Sequence, residues 1–302
     1  VTTWYEEAFR PGSEIKGKWH GHIYIVERII GAGSNGIVAL VRRGNSRFAL
    51  KAGYEAVDHQ SEINSLVAIA RKDNSFRNYL IDNDDMTVKG KDISFYVMRY
   101  IEGQTITDYL QKRGQDWIYV IGTNLLRKLT EIHQSGFVFG DLKTENMIVS
   151  GYGAVDLIDF GGVTPKGRAI KQLTEVYDRG FWSMGERVAE ESYDLFSFAI
   201  LLLKSLDHRN RFAGFAKMLP QNRELDQLTA IMRENKLAQQ LSPFLLKALR
   251  GEFASSAEAL RMWQGLVSGR KASAPKLKLP WLQICFAASV FLFAFTVYMM
   301  YG

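Results

Sequence analysis

Between residues 139 and 161 the chain reads FGDLKTENMIVSGYGAVDLIDFG, and this stretch narrows the possible folds more than any other. It sets Asp141, Lys143 and Asn146 in one short loop. The apolar run Met147 to Val149 follows, and after a turn a second aspartate, Asp159, stands directly ahead of Phe160 and Gly161. Phosphoryl transfer from a nucleotide calls for this combination: a carboxylate to orient an attacking hydroxyl, a cation beside the moving phosphate, and oxygen ligands for a hard divalent cation.

Upstream, Gly31, Gly33 and Gly36 form a GxGxxG set through Ala32, Ser34 and Asn35, with Val38 two residues on. Dinucleotide-binding folds share that spacing but open a helix there. Here the continuation IVALVRR is β-branched and runs into another turn, which fits a phosphate-covering loop between antiparallel strands. Strands are predicted at Ile23–Ile30, Ile37–Val41 and Phe48–Lys51, arranged as a meander. Lys51 ends the third strand, where it can reach phosphates under the glycine loop. A helix over Gln60–Ala70 offers Glu62 as the carboxylate that holds this lysine, with Glu55 as a rival. A strand at Ile93–Met98 follows a polar loop. Beyond Gly103 the period turns helical, with Ile118, Ile121, Leu125, Leu129 and Ile132 on one face. Leu195–Leu203 is too short to cross a bilayer and reads as a buried central helix.

With 47% apolar and 23% charged residues, the 302-residue chain has globular composition and shows neither repeats nor low-complexity tracts. One cysteine, Cys285, excludes an internal disulfide framework and a multi-cysteine zinc site. The net charge of +6 is uneven: Arg270, Lys271, Lys276 and Lys278 have no acidic neighbour, and without them 34 basic residues face 32 acidic ones. This basic run precedes LQICFAASVFLFAFTVYMMY (282–301), long enough at about 1.5 Å per residue to span a bilayer as a helix. Trp281, Tyr298 and Tyr301 suit the interfacial belt, and the positive-inside rule puts the preceding chain in the cytoplasm. The first residues lack a signal-peptide pattern.

The ordered set of glycine loop, Ala49-Leu50-Lys51, Glu62, DLKTEN and DFG resembles the Hanks-type (eukaryotic-like) bacterial serine/threonine protein kinases, whose pattern is HRDLKxxN and then DFG. The resemblance implies an α+β, bilobal protein-kinase-like fold, with a β-rich N-lobe, an α-helical C-lobe and here one C-terminal transmembrane helix. It divides the chain into an N-terminal extension (1–19), a kinase domain (20–265, lobes meeting near 101/102), a basic juxtamembrane linker (266–280) and the transmembrane helix (281–301).

The implied function is ATP-dependent phosphorylation of serine and threonine hydroxyls on cytoplasmic proteins by a single-pass membrane enzyme. Asp141 resembles the catalytic base, Lys143 the phosphate-contacting lysine of serine/threonine enzymes, and Lys51 with Glu62 the phosphate-positioning pair. Asn146 and Asp159 resemble the Mg2+ ligands. ATP would lie against Gly31, Ala32, Gly33, Ser34, Asn35, Gly36, Val38 and Lys51, with Met98 as gatekeeper and Arg99 to Ile101 as the hinge. Asp194 resembles the aspartate that anchors the catalytic loop. Lys51→Met, Asp141→Asn and Asp159→Asn are expected to abolish transfer while leaving the protein folded.

Three departures stand out. Phe139 and Gly140 replace the histidine and arginine of HRD, so no arginine there can receive an activation-segment phosphate. Met184-Gly185-Glu186 replaces Ala-Pro-Glu, and the arginine that usually pairs with that glutamate falls at Phe253, leaving Arg250 as the candidate partner. These losses favour activity without a phosphate on residues 162–186, where Thr164, Thr174 and Ser183 are the candidate acceptors. They also define the alternative, a pseudokinase serving as a membrane-anchored binding module. Anionic lipid at the basic flank, self-association, and nucleic acid or another polyanion at Arg42, Arg43 and Arg47 or at Arg209 and Arg211 are the remaining candidate partners.

Overall fold

The computed structural model describes residues 7–33, 36–53, 56–72, 76–171, 173–271, 286, 288–289 and 296–300. The chain divides into two units, 1–264 and 265–302. In the first, the described strands build a six-stranded antiparallel sheet in the order β1-β2-β3-β4-β6-β5: β1 (Glu14–Lys16), β2 (Ile23–Gly33), β3 (Gly36–Arg43), β4 (Ser46–Ala52), β5 (Leu80–Val88) and β6 (Lys91–Arg99). Helix α1 (Ala56–Lys72) packs on β5 and β6. The predicted meander is strands β2 to β4, and alternation along them buries Tyr24, Val26, Ile37, Ala39, Val41 and Leu50 in one core.

Two parts of this lobe depart from the sequence expectation. Phe9 and Ile15, assigned to an extension before the domain, are buried in that core, and Ile15 sits in β1, paired with β2. The stretch read as a polar loop contains β5, whose inward positions are Asp82, Asp84 and Met86. Two buried aspartates erase the apolar alternation that marks a strand. They are tolerated because Tyr24 Oη donates to Asp82 at 2.7 Å, His20 and His22 each place Nδ1 2.8 Å from Asp82, and the Trp19 and His20 amides donate to Asp84 at 2.9 and 2.8 Å.

The second lobe is helical: α2 (Ile106–Arg113), α3 (Ile118–Gln134), α4 (Glu191–Leu206), α5 (Phe212–Phe215), α6 (Leu225–Glu234), α7 (Lys236–Leu249) and α8 from Ser256. All five residues predicted for one face of α3 are fully buried, and Leu195–Leu203 lies in α4 with every side chain buried. Short strands carry the loops between: β7 (Phe137–Val138), β8 (Met147–Ser150), β9 (Ala154–Leu157) and β10 (Thr164–Pro165), paired β8 with β9 and β7 with β10. The β8–β9 hairpin spans the chain between Asn146 and Asp159. In the second unit, residues 286, 288–289 and 296–300 are helical. No helix among the described residues is long and apolar enough to cross a membrane, and the span expected at 281–301 lies largely outside them.

Candidate active site

The site lies between the lobes, where β4, α1 and the β8–β9 hairpin each deliver one end. Lys51, on β4, donates to Glu62 Oε2 at 2.8 Å and to Asp159 Oδ1 at 3.1 Å. Burial alone would lower the Lys51 ammonium, but Glu62 and Asp159 outweigh it and hold it above its ordinary value. Asp159 shows the converse: burial would raise its carboxyl, and Lys51 draws it below. Glu62 is therefore the partner of Lys51, whereas Glu55 lies outside the described residues. The other Glu62 oxygen accepts from Tyr96 Oη at 2.7 Å and from the Phe160 amide at 3.0 Å. One carboxylate thus ties the sheet, α1 and the start of the segment after Asp159.

Asp141 is buried, and both of its oxygens are engaged. Oδ2 accepts from Lys143 Nζ at 2.6 Å and from Asn146 Nδ2 at 2.9 Å, while Oδ1 accepts the Thr174 hydroxyl at 2.6 Å. Asn146 also donates to the Asp141 carbonyl and lines the cleft, and no hydrogen bond to its Oδ1 is found among the described residues. Asp159 likewise keeps one oxygen free of Lys51 and adopts a φ of +64°, in the left-handed region where a non-glycine residue is strained. Two acceptor-only oxygens held in this way form a donor set that suits a hard divalent cation.

Asp194 supports the loop from below, accepting from the Phe139 amide at 2.7 Å and the Gly140 amide at 2.9 Å. The buried His133, which sequence reading did not single out, places Nε2 2.8 Å from the same aspartate. Phe139 packs edge-on against Phe160 with centroids 5.8 Å apart, filling the place where the pattern has histidine. Gly140 has a φ of +75°, and a Cβ built on it would stand 2.6 Å from the carbonyl oxygen of Gly162.

A cavity of about 560 Å³ opens between the glycine strand-turn and this loop. Gly31, Ala32, Gly33, Gly36, Val38, Lys51, Met98 and Ile101 line it as expected; Ser34 and Asn35 lie outside the described residues. Gly36 has a φ of +138°, and a Cβ there would meet the Ala52 carbonyl at 2.1 Å, so β3 and β4 approach at a point only glycine allows. Within the hinge read at Arg99 to Ile101, Tyr100 and Ile101 line the cavity, while the Arg99 guanidinium bonds to Asp156 at 2.8 Å and stacks over Tyr79. Ile148 and Ile158 add an apolar wall that sequence reading missed, although their alternation along LIDFG and MIV carried the signal.

The segment after Asp159 is fastened by its own contacts. Thr164 is buried and donates to the Gly162 carbonyl at 2.8 Å, Lys166 pairs with Glu191 at 2.6 Å, and Lys171 donates to Ser61 Oγ at 3.1 Å and to the Val163 carbonyl at 2.9 Å. Arg179 reaches the Glu186 carbonyl, Ser192 and Glu190, while Arg187 and Tyr193 hold the buried Asp178. The Glu186 side chain is exposed and does not pair with Arg250, whose nearest carboxylate is Glu252 at 4.0 Å. The contact expected of Glu186 is replaced by the clusters around the buried Asp178 and Arg179, which join the segment to the start of α4.

Residues 24–269 match the family described as protein kinase domain. The chain is 37% identical over 273 residues to the serine/threonine-protein kinase YabT of Bacillus subtilis (strain 168), covering 89% of this chain and 78% of that protein. It is 26% identical over 147 residues to the serine/threonine-protein kinase SMU1 of Mycosarcoma maydis and 23% identical over 186 residues to STE20 of Yarrowia lipolytica. Those matches cover 46% and 59% of this chain but only 19% and 16% of the two relatives. The family match and the likeness to YabT agree with the paired Lys51–Glu62 and the Asp141–Lys143–Asn146 loop: the chain belongs to the protein kinase family, as a bacterial serine/threonine protein kinase of the Hanks type.

Proposed function

We propose that the cleft transfers the γ-phosphoryl group of ATP, bound with Mg2+, to serine and threonine hydroxyls of cytoplasmic proteins, with Asp141 orienting the hydroxyl and receiving its proton. The observation that carries this reading is the Thr174 hydroxyl donating to Asp141 Oδ1, which shows that this oxygen accepts a hydroxyl; its second lone pair can take that of a substrate. Lys143 sits where it can meet the transferred phosphoryl, and Lys51, braced by Glu62, reaches the phosphates beneath the glycine turn. Asn146 Oδ1 and the free Asp159 oxygen would hold the metal, which supplies neutralisation of phosphate charge. The pseudokinase alternative rests on the departures at HRD and Ala-Pro-Glu alone, whereas Lys51, Asp141, Lys143, Asn146 and Asp159 are all present in the cleft and favour activity. Transfer of label from γ-labelled ATP to serine and threonine of a generic protein substrate tests the proposal; label found chiefly on tyrosine would overturn it.

Ordering of the segment by its own contacts supports activity without phosphorylation. Phosphatase-treated protein is expected to keep its initial rate. Thr174→Ala should lower that rate by roughly tenfold to a hundredfold through loss of a hydrogen bond to an ionised group, and Thr174→Ser should retain it. An acidic replacement at Thr174 that restored the rate would show instead that a negative charge is wanted there.

The basic run and the apolar residues 281–301 support a membrane tether with the kinase domain on the cytoplasmic side. Each of the four cations adds about 1 kcal/mol of attraction to anionic lipid near the surface. Full-length protein is expected to float with anionic vesicles in high salt and a chain ending at residue 279 to stay behind; equal flotation of both would remove the tether. The arginine clusters considered for a polyanion are engaged elsewhere, Arg47 with Glu27, Arg43 with Tyr24, and Arg209 and Arg211 with Glu234.

A further inference from the structure

A second cavity, of about 550 Å³, begins on the far side of Lys143 from the nucleotide cavity. The two cavities share Lys143 and Glu145, and the second also takes in Thr174, so both of its inner walls are groups bonded to Asp141. A polypeptide that presents a hydroxyl to Asp141 must therefore lay its flanking side chains here. Val176, Tyr177, Phe212, Ala213 and Ala216 give it an apolar floor, with the exposed Asn210 at the edge and one charged exception.

The exception is Lys204, near the end of α4. It is half-buried, its ammonium rests 4.9 Å from the centre of the Tyr177 ring, and no carboxylate lies within ion-pair distance of it among the described residues. Nearly every other cation of the segment region has a carboxylate, a carbonyl or a hydroxyl to hold; this one has an aromatic face. Glu145 and Glu175 also line the cavity, but both are exposed at its rim, where water screens them. A charge at the floor is shielded by protein on several sides, so an incoming side chain interacts with it in a less polar medium than at the rim.

We propose that this cavity is a subsite for the protein substrate, in which Lys204 receives an aspartate or glutamate close in sequence to the phosphorylated hydroxyl. The inference rests on the reading of Asp141 as the group that faces that hydroxyl. An extended chain advances about 3.3 Å per residue, so positions within roughly three residues of the acceptor are in reach. The acidic side chain would replace the water on the ammonium while the cation stays over Tyr177, gaining a charge-assisted hydrogen bond.

The test measures kcat/KM of the full-length protein on serine peptides carrying aspartate, alanine or lysine at each flanking position in turn. At one or two positions aspartate is expected to exceed lysine by roughly tenfold to a hundredfold, the range of a hydrogen bond between charged groups. Lys204→Met should flatten that ratio and Lys204→Glu should invert it. Because the readout is a ratio within one protein, a general loss of activity cancels. A wild-type enzyme that favours lysine throughout, or shows no charge preference, overturns the subsite and assigns the cavity to Glu145 and Glu175 or to no charge. An acidic preference that Lys204→Glu leaves intact also overturns it. Normal turnover by Asp141→Asn would overturn the underlying reading instead, independently of any ratio.

Discussion

Asp141→Asn should lower the initial rate of phosphate transfer to a serine peptide by roughly two to four orders of magnitude, the usual contribution of a positioned acid–base group. The substitution keeps the shape of a buried side chain, so the unfolding temperature should change little. What it removes is acceptor capacity. Asp141 now accepts from Lys143 and Asn146 on one oxygen and from Thr174 on the other. An asparagine offers one acceptor and one donor, so either the lysine or the hydroxyl side must face an N–H. The rate is measured at saturating ATP and subsaturating peptide, with thermal unfolding of the same preparation. A rate within about tenfold of wild type, well short of a general-base loss, would sink the assignment of Asp141.

Lys51→Met is the second large effect, and the structure changes what is expected of it. From sequence the substitution removes a phosphate contact and leaves the fold intact. In the molecule Lys51 is 6% exposed and is the cation between two carboxylates, one of them the buried Glu62. Removing one member of a buried ion pair costs about 3–5 kcal/mol, which for a domain of this size lowers the unfolding temperature by roughly 6–15 °C. The loss must also depend on pH. Burial already raises the Glu62 carboxyl above its ordinary 4.5, and without Lys51 the opposing pull disappears, so the folded value rises further. A group whose folded pKa exceeds its unfolded one favours folding while protonated and loses that contribution as pH climbs. The deficit of the variant relative to wild type should therefore be small near pH 4.5 and widen toward neutrality. Urea midpoints for both proteins across that range decide it; a deficit independent of pH would mean that Glu62 finds another cation or reaches water.

How far the sequence revealed these things depended on where the information was stored. Asp141, Lys143, Asn146 and Asp159 were legible because their chemistry sits within one short stretch and each bears a distinct functional group. Glu62 was legible because β4 and α1 are neighbours in the chain. The Thr174 bond to Asp141 crosses 33 positions, and threonine is common enough to carry no signal of its own. Strand β5 was hidden by aspartates on its inner face, whose partners Tyr24, His20 and His22 lie some sixty positions away. The course of the Arg99 side chain was not legible, because hinge membership fixes a backbone position whereas Asp156 decides where the guanidinium goes. The Glu186 pairing failed for a similar reason: the departure from the Ala-Pro-Glu pattern was visible, but the replacement contacts use Asp178, Arg179 and Arg187, which no spacing rule connects.

The close approach at Gly140 also limits what could be engineered there. A side chain of any kind at this position must push the Gly162 backbone aside, and Gly162 opens the very segment that a phosphate would order. Changing one codon to arginine therefore would not return a phosphate receptor; it would first pry apart the two loops that form the site. The segment would have to be rebuilt around Gly162 before an arginine there could receive a phosphate. Control of such an enzyme is most readily added at its substrates, its location or its abundance, because the loop has no room at this position for a phosphate receptor.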